Sequence, residues 1–267
     1  MTTDAPGTPP TATPAVPPHH HPRRAPWTPW SDRPREQQDD GGPLDRLLGG
    51  VRGFQQHTAP LVRQELARLA REGQAPSQLF ITCADSRMVT SMITSSGPGD
   101  LFTVRNVGNL VPPPQGPGAP EDPADDSVGA AVEYAVEVLR VRSVTVCGHS
   151  GCGAMQALLR GVHRPSDAPT SLGRWLRNGR ASLARAHRAP ARFADRPGDE
   201  LERLCLSNVV QQLENLAAHP TVRARTAQGR LHLSGMYFDL AAAQAHLLDP
   251  VAGVFVPVDA EESGSAA

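Results

Sequence analysis

The chain has 267 residues, 26 Lys plus Arg against 27 Asp plus Glu, and a formal net charge of -1. That balance gives no electrostatic case for a nucleic-acid binder or for attachment to an anionic membrane. No apolar run approaches about 18 residues, so no membrane-spanning helix is expected, and no charged start followed by an apolar core marks a secretory signal.

The length suits one sizeable domain with tails. All the cationic side chains are arginine, and the four cysteines are Cys83, Cys147, Cys152 and Cys205. They are too few and too scattered for a disulfide framework. They fit a reducing compartment and metal binding, which points to the cytoplasm.

Residues 1–43 are rich in Pro, Thr, Ala and Gly and poor in aliphatic side chains, so this segment is expected to be a disordered tail. It contains His19-His20-His21, read as a solvated run, and Trp27 and Trp30. From Leu44 to Gly73 apolar residues recur at helical spacing, with Pro60 as an interruption. Two helices are predicted, the second over about 60–72.

Leu79–Ala84 is a run of strand length that ends at Cys83, and Asp85-Ser86-Arg87 begins a turn. A short helix over about 89–95 and a strand over 101–105 are predicted next. The segment 106–126, rich in Gly and Pro, is read as a long loop. Ser127 is placed as the cap of a helix running to Leu139. The β-branched run Ser143–Cys147 is a third strand, followed by the turn Gly148-His149-Ser150-Gly151 and a helix over 152–159. Helices are predicted over 171–187 and 199–218, and strands over 231–238 and 253–257. The acidic end from Asp259 is expected to fray. Alternating strands and helices argue for an α/β fold with a mostly parallel central sheet flanked by helices, spanning about 44–258.

In such sheets ligands collect beyond the carboxyl ends of the strands. Cys83 lies at one strand end and His149 and Cys152 at another. Two thiolates and an imidazole suit zinc and leave a fourth tetrahedral position open, the catalytic arrangement. Asp85 has two possible roles. It is a fourth ligand that closes the site, or it is held by Arg87 and accepts a hydrogen bond from the metal's nucleophile.

Cys-Ala-Asp-Ser-Arg at 83–87 followed by Gly-His-Ser-Gly-Cys-Gly at 148–153 resembles the β-class carbonic anhydrases. The likeness runs from about Leu44 to Leu248. It takes in Gly99-Asp100-Leu101-Phe102, residues 104–109, Glu133-Tyr134-Ala135 and Asn208-Val209. The resemblance implies one Zn2+ per chain on Cys83, His149 and Cys152, with Asp85 either a ligand or the partner of Arg87. It implies a substrate pocket of Gln74, Phe102, Val107, Tyr134 and Gly153. The implied reaction is attack of zinc-bound hydroxide on carbon dioxide to give bicarbonate. The implied assembly is a homodimer or tetramer paired through the N-terminal helices and the sheet.

Some family members close the site and bind regulatory bicarbonate through a Trp, an Arg and a Tyr. The matching positions here are Phe80, Arg105 and Phe238, so the open, unregulated type is expected. The likeness is also close to carbonic-anhydrase-like domains fused to bacterial anion transporters, so association with such a transporter is a further partner expectation. Two other functions compete: a non-catalytic zinc-containing regulatory or scaffolding protein of the same fold, and a hydrolase acting on carbon disulfide or carbonyl sulfide.

Overall fold

The structure is a computed structural model that describes residues 42–114, 127–162 and 170–258. The expectations for the Pro-rich tail, the histidine run, most of the long loop and the acidic end lie outside those residues. The chain divides into two units, Met1–Leu61 and Val62–Ala267.

The described part of the first unit holds helix α1 (Pro43–Gly53), with Pro at its start, and a π-helical turn, Phe54–Thr58. Helix α2 (Ala59–Glu72) follows. Pro60 falls at the junction between the π-helical turn and α2, where Ala59 N–H bonds back to the Phe54 carbonyl and the proline has no N–H to continue the ladder. Leu44, Leu47, Leu48, Val51 and Phe54 are exposed.

The second unit is built on a seven-stranded sheet in the order β2-β1-β3-β5-β6-β7-β4. Its strands are β1 (Gln78–Cys83), β2 (Leu101–Asn106), β3 (Ser143–His149), β4 (Arg192–Phe193), β5 (His232–Asp239), β6 (Gln244–Asp249) and β7 (Val254–Pro257). β2, β1, β3 and β5 run parallel, while β6 is antiparallel to both its neighbours. The intervening helices are α3 (Thr90–Thr94), α4 (Ser127–Glu133) with a π-helical turn at Tyr134–Val138, α5 (Gly153–Leu159), α6 (Ser171–Leu176), α7 (Arg180–Arg188), α8 (Glu200–Ala218) and α9 (Pro220–Ala227).

The central strands read as unbroken apolar runs because both faces are covered. Leu79 and Ile81 enter the main core with Val144 and Val146, whereas Phe80 packs on the other face with Met88, Cys147, Met236 and Phe238. This is the alternation of the pleat. Each fully buried aliphatic side chain contributes about 1.5–3 kcal/mol. Helix α8 lies against β3 and β5. It comes so close that a Cβ on Gly148 would stand 2.7 Å from a Val209 methyl, so the glycine before His149 is a packing requirement. Asp199 caps α8 in a capping box with Glu202, which removes orphan N–H groups at the helix start.

Four expectations need correction. β3 extends two residues past Cys147, because β5 continues the ladder to His149↔Phe238. The helix of 171–187 is broken at a 3-10 turn, Arg177–Gly179, into α6 and α7. The helix expected to run to Leu139 gives way to a π-helical turn from Tyr134. The helix after the histidine turn starts at Gly153, with Cys152 as its cap. The two-residue strand β4, helix α9 and strand β6 were not anticipated.

An aromatic cluster closes the β5–β6–β7 side. Phe193 and His246 have ring centroids 5.0 Å apart, and Tyr237 stands edge-on to Phe193 at 5.4 Å. The charged groups around His246 are Asp195, Arg196 and Asp239, and its burial lowers its pKa below the ordinary imidazole value. The unfolded chain therefore takes up this proton first as pH falls, so stability is lost through and below about pH 6.5. Replacing His246 with Phe keeps the ring and removes the proton. The urea midpoint of H246F is expected to fall less between pH 7.5 and pH 5.5 than that of the parent. Parallel losses in the two proteins would remove His246 from the acid response.

Candidate metal centre

β1 and β3 are immediate neighbours, paired in register from Gln78↔Ser143 to Thr82↔Cys147. That register carries two clusters far apart in sequence to the same carboxyl edge of the sheet. Cys83 ends β1, His149 ends β3, and Cys152 caps α5 after a two-residue turn. The three side chains are buried, and their ligand atoms lie within 4.8 Å of one another.

The Cys83 and Cys152 sulfurs are 4.0 Å apart, about twice a disulfide bond length. Two thiolates on a tetrahedral zinc at ~2.3 Å would be separated by about 3.8 Å. The spacing therefore suits two ligands of one ion. His149 is oriented by its Nδ1, 2.9 Å from the Ser150 carbonyl oxygen. Its Nε2 is buried with no hydrogen-bond partner. An orphaned imidazole nitrogen beside two sulfurs is the donor set zinc takes, with the other ring nitrogen fixing the tautomer.

The two thiols are unequal. The two sulfurs are in hydrogen-bond contact, the Gly108 N–H donates to the Cys83 sulfur at 3.4 Å, and these contacts lower the Cys83 pKa. The same contact and burial push Cys152 up. The pair thus offers one ready thiolate, and the second proton must leave when a metal binds. Cys147 and Cys205, pushed up to about 12 by burial, are inert thiols.

Asp85 stands beside the triangle. Arg87 grips it with Nε on Oδ1 at 2.9 Å and Nη2 on Oδ2 at 2.7 Å, and the Arg87 main-chain N–H adds a third bond to Oδ1 at 3.0 Å. These bonds hold the carboxylate far below its ordinary range. Oδ2 lies 3.9 Å from His149 Nε2, so the carboxylate faces the ligand triangle while bound to the guanidinium. Arg87 Nη2 also donates to the Gly151 carbonyl at 3.1 Å, which ties the turn between His149 and Cys152 to the strand end of Cys83.

Several residues shape this site that the sequence did not assign to the metal or the substrate. Arg105 donates to the carbonyls of Cys83 and Asp85 at 3.2 and 2.7 Å, fixing the chain on both sides of Ala84. Gly108 is held at φ +86, and a Cβ there would come 2.9 Å from that of Ala154. Only glycine brings its N–H to the Cys83 sulfur in that conformation. Asn208 in α8 donates to the Gly108 carbonyl at 3.0 Å and belongs to a buried network with Ser182 and Gln212. Polar residues at positions 208, 212 and 215 on a helix otherwise facing the core were the readable signal for it.

The pocket residues of the sequence reading are less tightly grouped. Phe102 in β2 meets Tyr134 with ring centroids 5.7 Å apart. Tyr134 is exposed, not a core tyrosine, and so is Val107. The Val107 carbonyl accepts from the Trp175 indole at 2.7 Å. Gly153 opens α5, next to Cys152. Gln74 is exposed in the turn after α2 and has no hydrogen bond to the ligand residues among the described contacts.

A family profile described as carbonic anhydrase matches residues 78–245. The chain is 39% identical over 210 residues to a carbonic anhydrase of Pseudomonas aeruginosa, covering 79% of this chain and 90% of the relative. Among solved structures it is similar to the β-carbonic anhydrase CcaA, with a TM-score of 0.71 and 32% identity, covering 83% of this chain and 94% of that one. A structure from a report of two tetrameric β-carbonic anhydrases of Sordaria macrospora is similar at TM-score 0.62 and 28% identity, covering 77% and 96%.

Proposed function

The chain belongs to the β-carbonic anhydrase family, and from that premise we propose that it hydrates carbon dioxide reversibly on a zinc held by Cys83, His149 and Cys152, with Asp85 and Arg87 as the catalytic pair. The observation that carries the reading is the buried ligand triangle with an ionised carboxylate clamped beside it. When bound there, zinc supplies Lewis acidity that brings the pKa of a water down to about 7.

Asp85 acts as an acceptor only. Its carboxyl stays ionised because Arg87 occupies both oxygens, and Oδ2 retains a lone pair toward the triangle to orient the O–H of the attacking water. Arg87 keeps Asp85 off the open position. The family resemblance would assign Phe102, Val107 and Tyr134 to the apolar side of a pocket for an uncharged, linear substrate, with the Gln74 amide as a donor to one of its oxygens. Phe80 and Phe238 pack in an apolar cluster. They offer no polar group that would draw Asp85 or Arg105 away, which supports the open, unregulated form.

The exposed apolar residues of α1 and the tetrameric Sordaria relatives support a homodimer or tetramer. Four free cysteines, two of them needed as thiolates, support the cytoplasm. Among the described residues no helix is long and apolar enough to cross a membrane, and association with an anion transporter is a further partner proposal. The test is carbon dioxide hydration by zinc-replete protein in a stopped-flow pH-indicator assay. A rate well above the uncatalysed reaction is expected, rising toward alkaline pH. No rate above background across that range would overturn the assignment.

A further inference from the structure

The other end of the sheet carries a second feature that the catalytic reading does not use. The amino ends of β3 and β5 lie side by side, in register at Ser143↔His232. Around them opens a cavity of about 600 Å3 lined by Arg140, Arg142, Arg225 and Arg230 together with Ser143 and His232. Six residue steps along β3 separate Ser143 from His149, about 20 Å at the usual rise per residue. The cavity is therefore distinct from the metal centre.

Four arginines line it in a protein whose formal net charge is -1. No carboxylate lines the cavity. Among the described residues none of the four arginines is in an ion pair with an acidic side chain. Such a gathering of like charges is unfavourable by itself and gains from a counter-anion. The segments that bear the arginines are pinned by main-chain bonds. Arg142 N–H donates to Ser77 at 2.8 Å, His232 N–H to Arg142 at 3.0 Å and Arg230 N–H to Arg225 at 3.0 Å. Arg225 is further held by its Nη2 on the Val136 carbonyl at 3.1 Å. Arg140 sits at φ 56, in a tight turn just before β3.

We propose that this cavity is a binding site for a small organic or inorganic polyphosphate, an anion carrying at least two phosphate groups. A guanidinium fork matches two oxygens of one phosphate, and four forks on a fixed frame suit a ligand of charge about -4 better than a single monoanion. The volume is that of a small-molecule site. Ser143 and His232 also line the cavity and carry a hydroxyl and an imidazole.

The experiment titrates the full-length, zinc-loaded protein with inorganic pyrophosphate by calorimetry at physiological ionic strength. Sulfate serves as the single-anion control and a short oligothymidylate as the macromolecular one. Saturable binding of one pyrophosphate per chain is expected, with sulfate much weaker. Arg230→Gln and Arg140→Asn, the latter tolerant of the left-handed backbone, are each expected to weaken pyrophosphate by about tenfold or more. Both should leave zinc content and the basal carbon dioxide hydration rate unchanged. Should one variant fail to fold, the other carries the test. The proposal is overturned if pyrophosphate does not bind, if both folded variants bind it as the parent does, or if the oligothymidylate binds as tightly with the same dependence on Arg140 and Arg230.

Discussion

Cys152→Ser is expected to abolish zinc binding and carbon dioxide hydration together. In the proposed site Cys152 would supply one of three ligand atoms, and an alcohol at that position is a far poorer zinc ligand than a thiolate. Serine is close in volume and is itself a good helix cap, so α5 should still start at Gly153 and the core around it should hold. Elemental analysis of C152S should give close to no zinc per chain, the stopped-flow rate should fall to background, and far-ultraviolet circular dichroism should match the parent. Loss of the fold would be a different result, and the urea midpoint distinguishes the two. A C152S protein with full zinc and parental activity would mean that the triangle is not the metal site.

Arg87→Ala separates metal from chemistry. Among the described residues the side chain has no hydrogen bond to either sulfur or to the imidazole. It holds Asp85 through two bonds and the Gly151 carbonyl through a third. Removing it should leave zinc in place and free Asp85 to swing onto the open position. Hydration is then expected to fall by about 10–100-fold or more, the range for partners that orient a metal's surroundings. Arg87→Lys restores charge without the planar fork and should recover only part of the rate.

The same variant has a pH signature. The native Asp85 pKa lies well below the ordinary carboxylate value, so the pair stabilises the fold above about pH 4 and this contribution is lost as pH falls further. In the metal-free R87A protein the carboxyl has lost its guanidinium partner, and its pKa should rise toward the ordinary value. The contribution is modest, because Arg87 is 54% exposed. A plain surface ion pair would share that pH signature but would leave the hydration rate unchanged. An R87A enzyme hydrating at the parent rate with full zinc would reduce the pair to that role.

The elements that could be read along the chain are those whose burial writes a simple pattern. Leu79–Cys83 and Val144–Cys147 are apolar on both faces, because the parallel strands are covered on both sides. Asp199 with Glu202 announces the start of α8. β6 escaped because it is half-exposed and mixes Gln244, Ala245 and His246 before Leu247, so neither an apolar run nor a clean alternation marks it. α9 escaped because Thr221, Val222 and Thr226 are weak helix formers, and its start is marked only by Pro220. The π-helical turn at Tyr134–Val138 keeps the helical spacing of apolar residues and leaves no trace in the sequence.

Residue type and spacing alone pointed to the candidate donor set. A cysteine closing one apolar, strand-length run, and a histidine and a cysteine three residues apart just after another, are a metal-ligand pattern whatever fold carries them, and the order Cys-Ala-Asp-Ser-Arg placed a carboxylate and a guanidinium within reach of the first. Only the tertiary structure decided what those groups do to one another. The register of β1 on β3 brings Cys83 within 4.0 Å of Cys152. The fold of the strand end turns Asp85 toward Arg87 and leaves His149 Nε2 without a partner. A hydrogen-bond direction depends on where three separate backbone segments meet, and no local pattern in the chain encodes that meeting. For the same reason the four arginines of the opposite edge, dispersed over ninety residues of sequence, become one cavity only when β3 and β5 lie side by side.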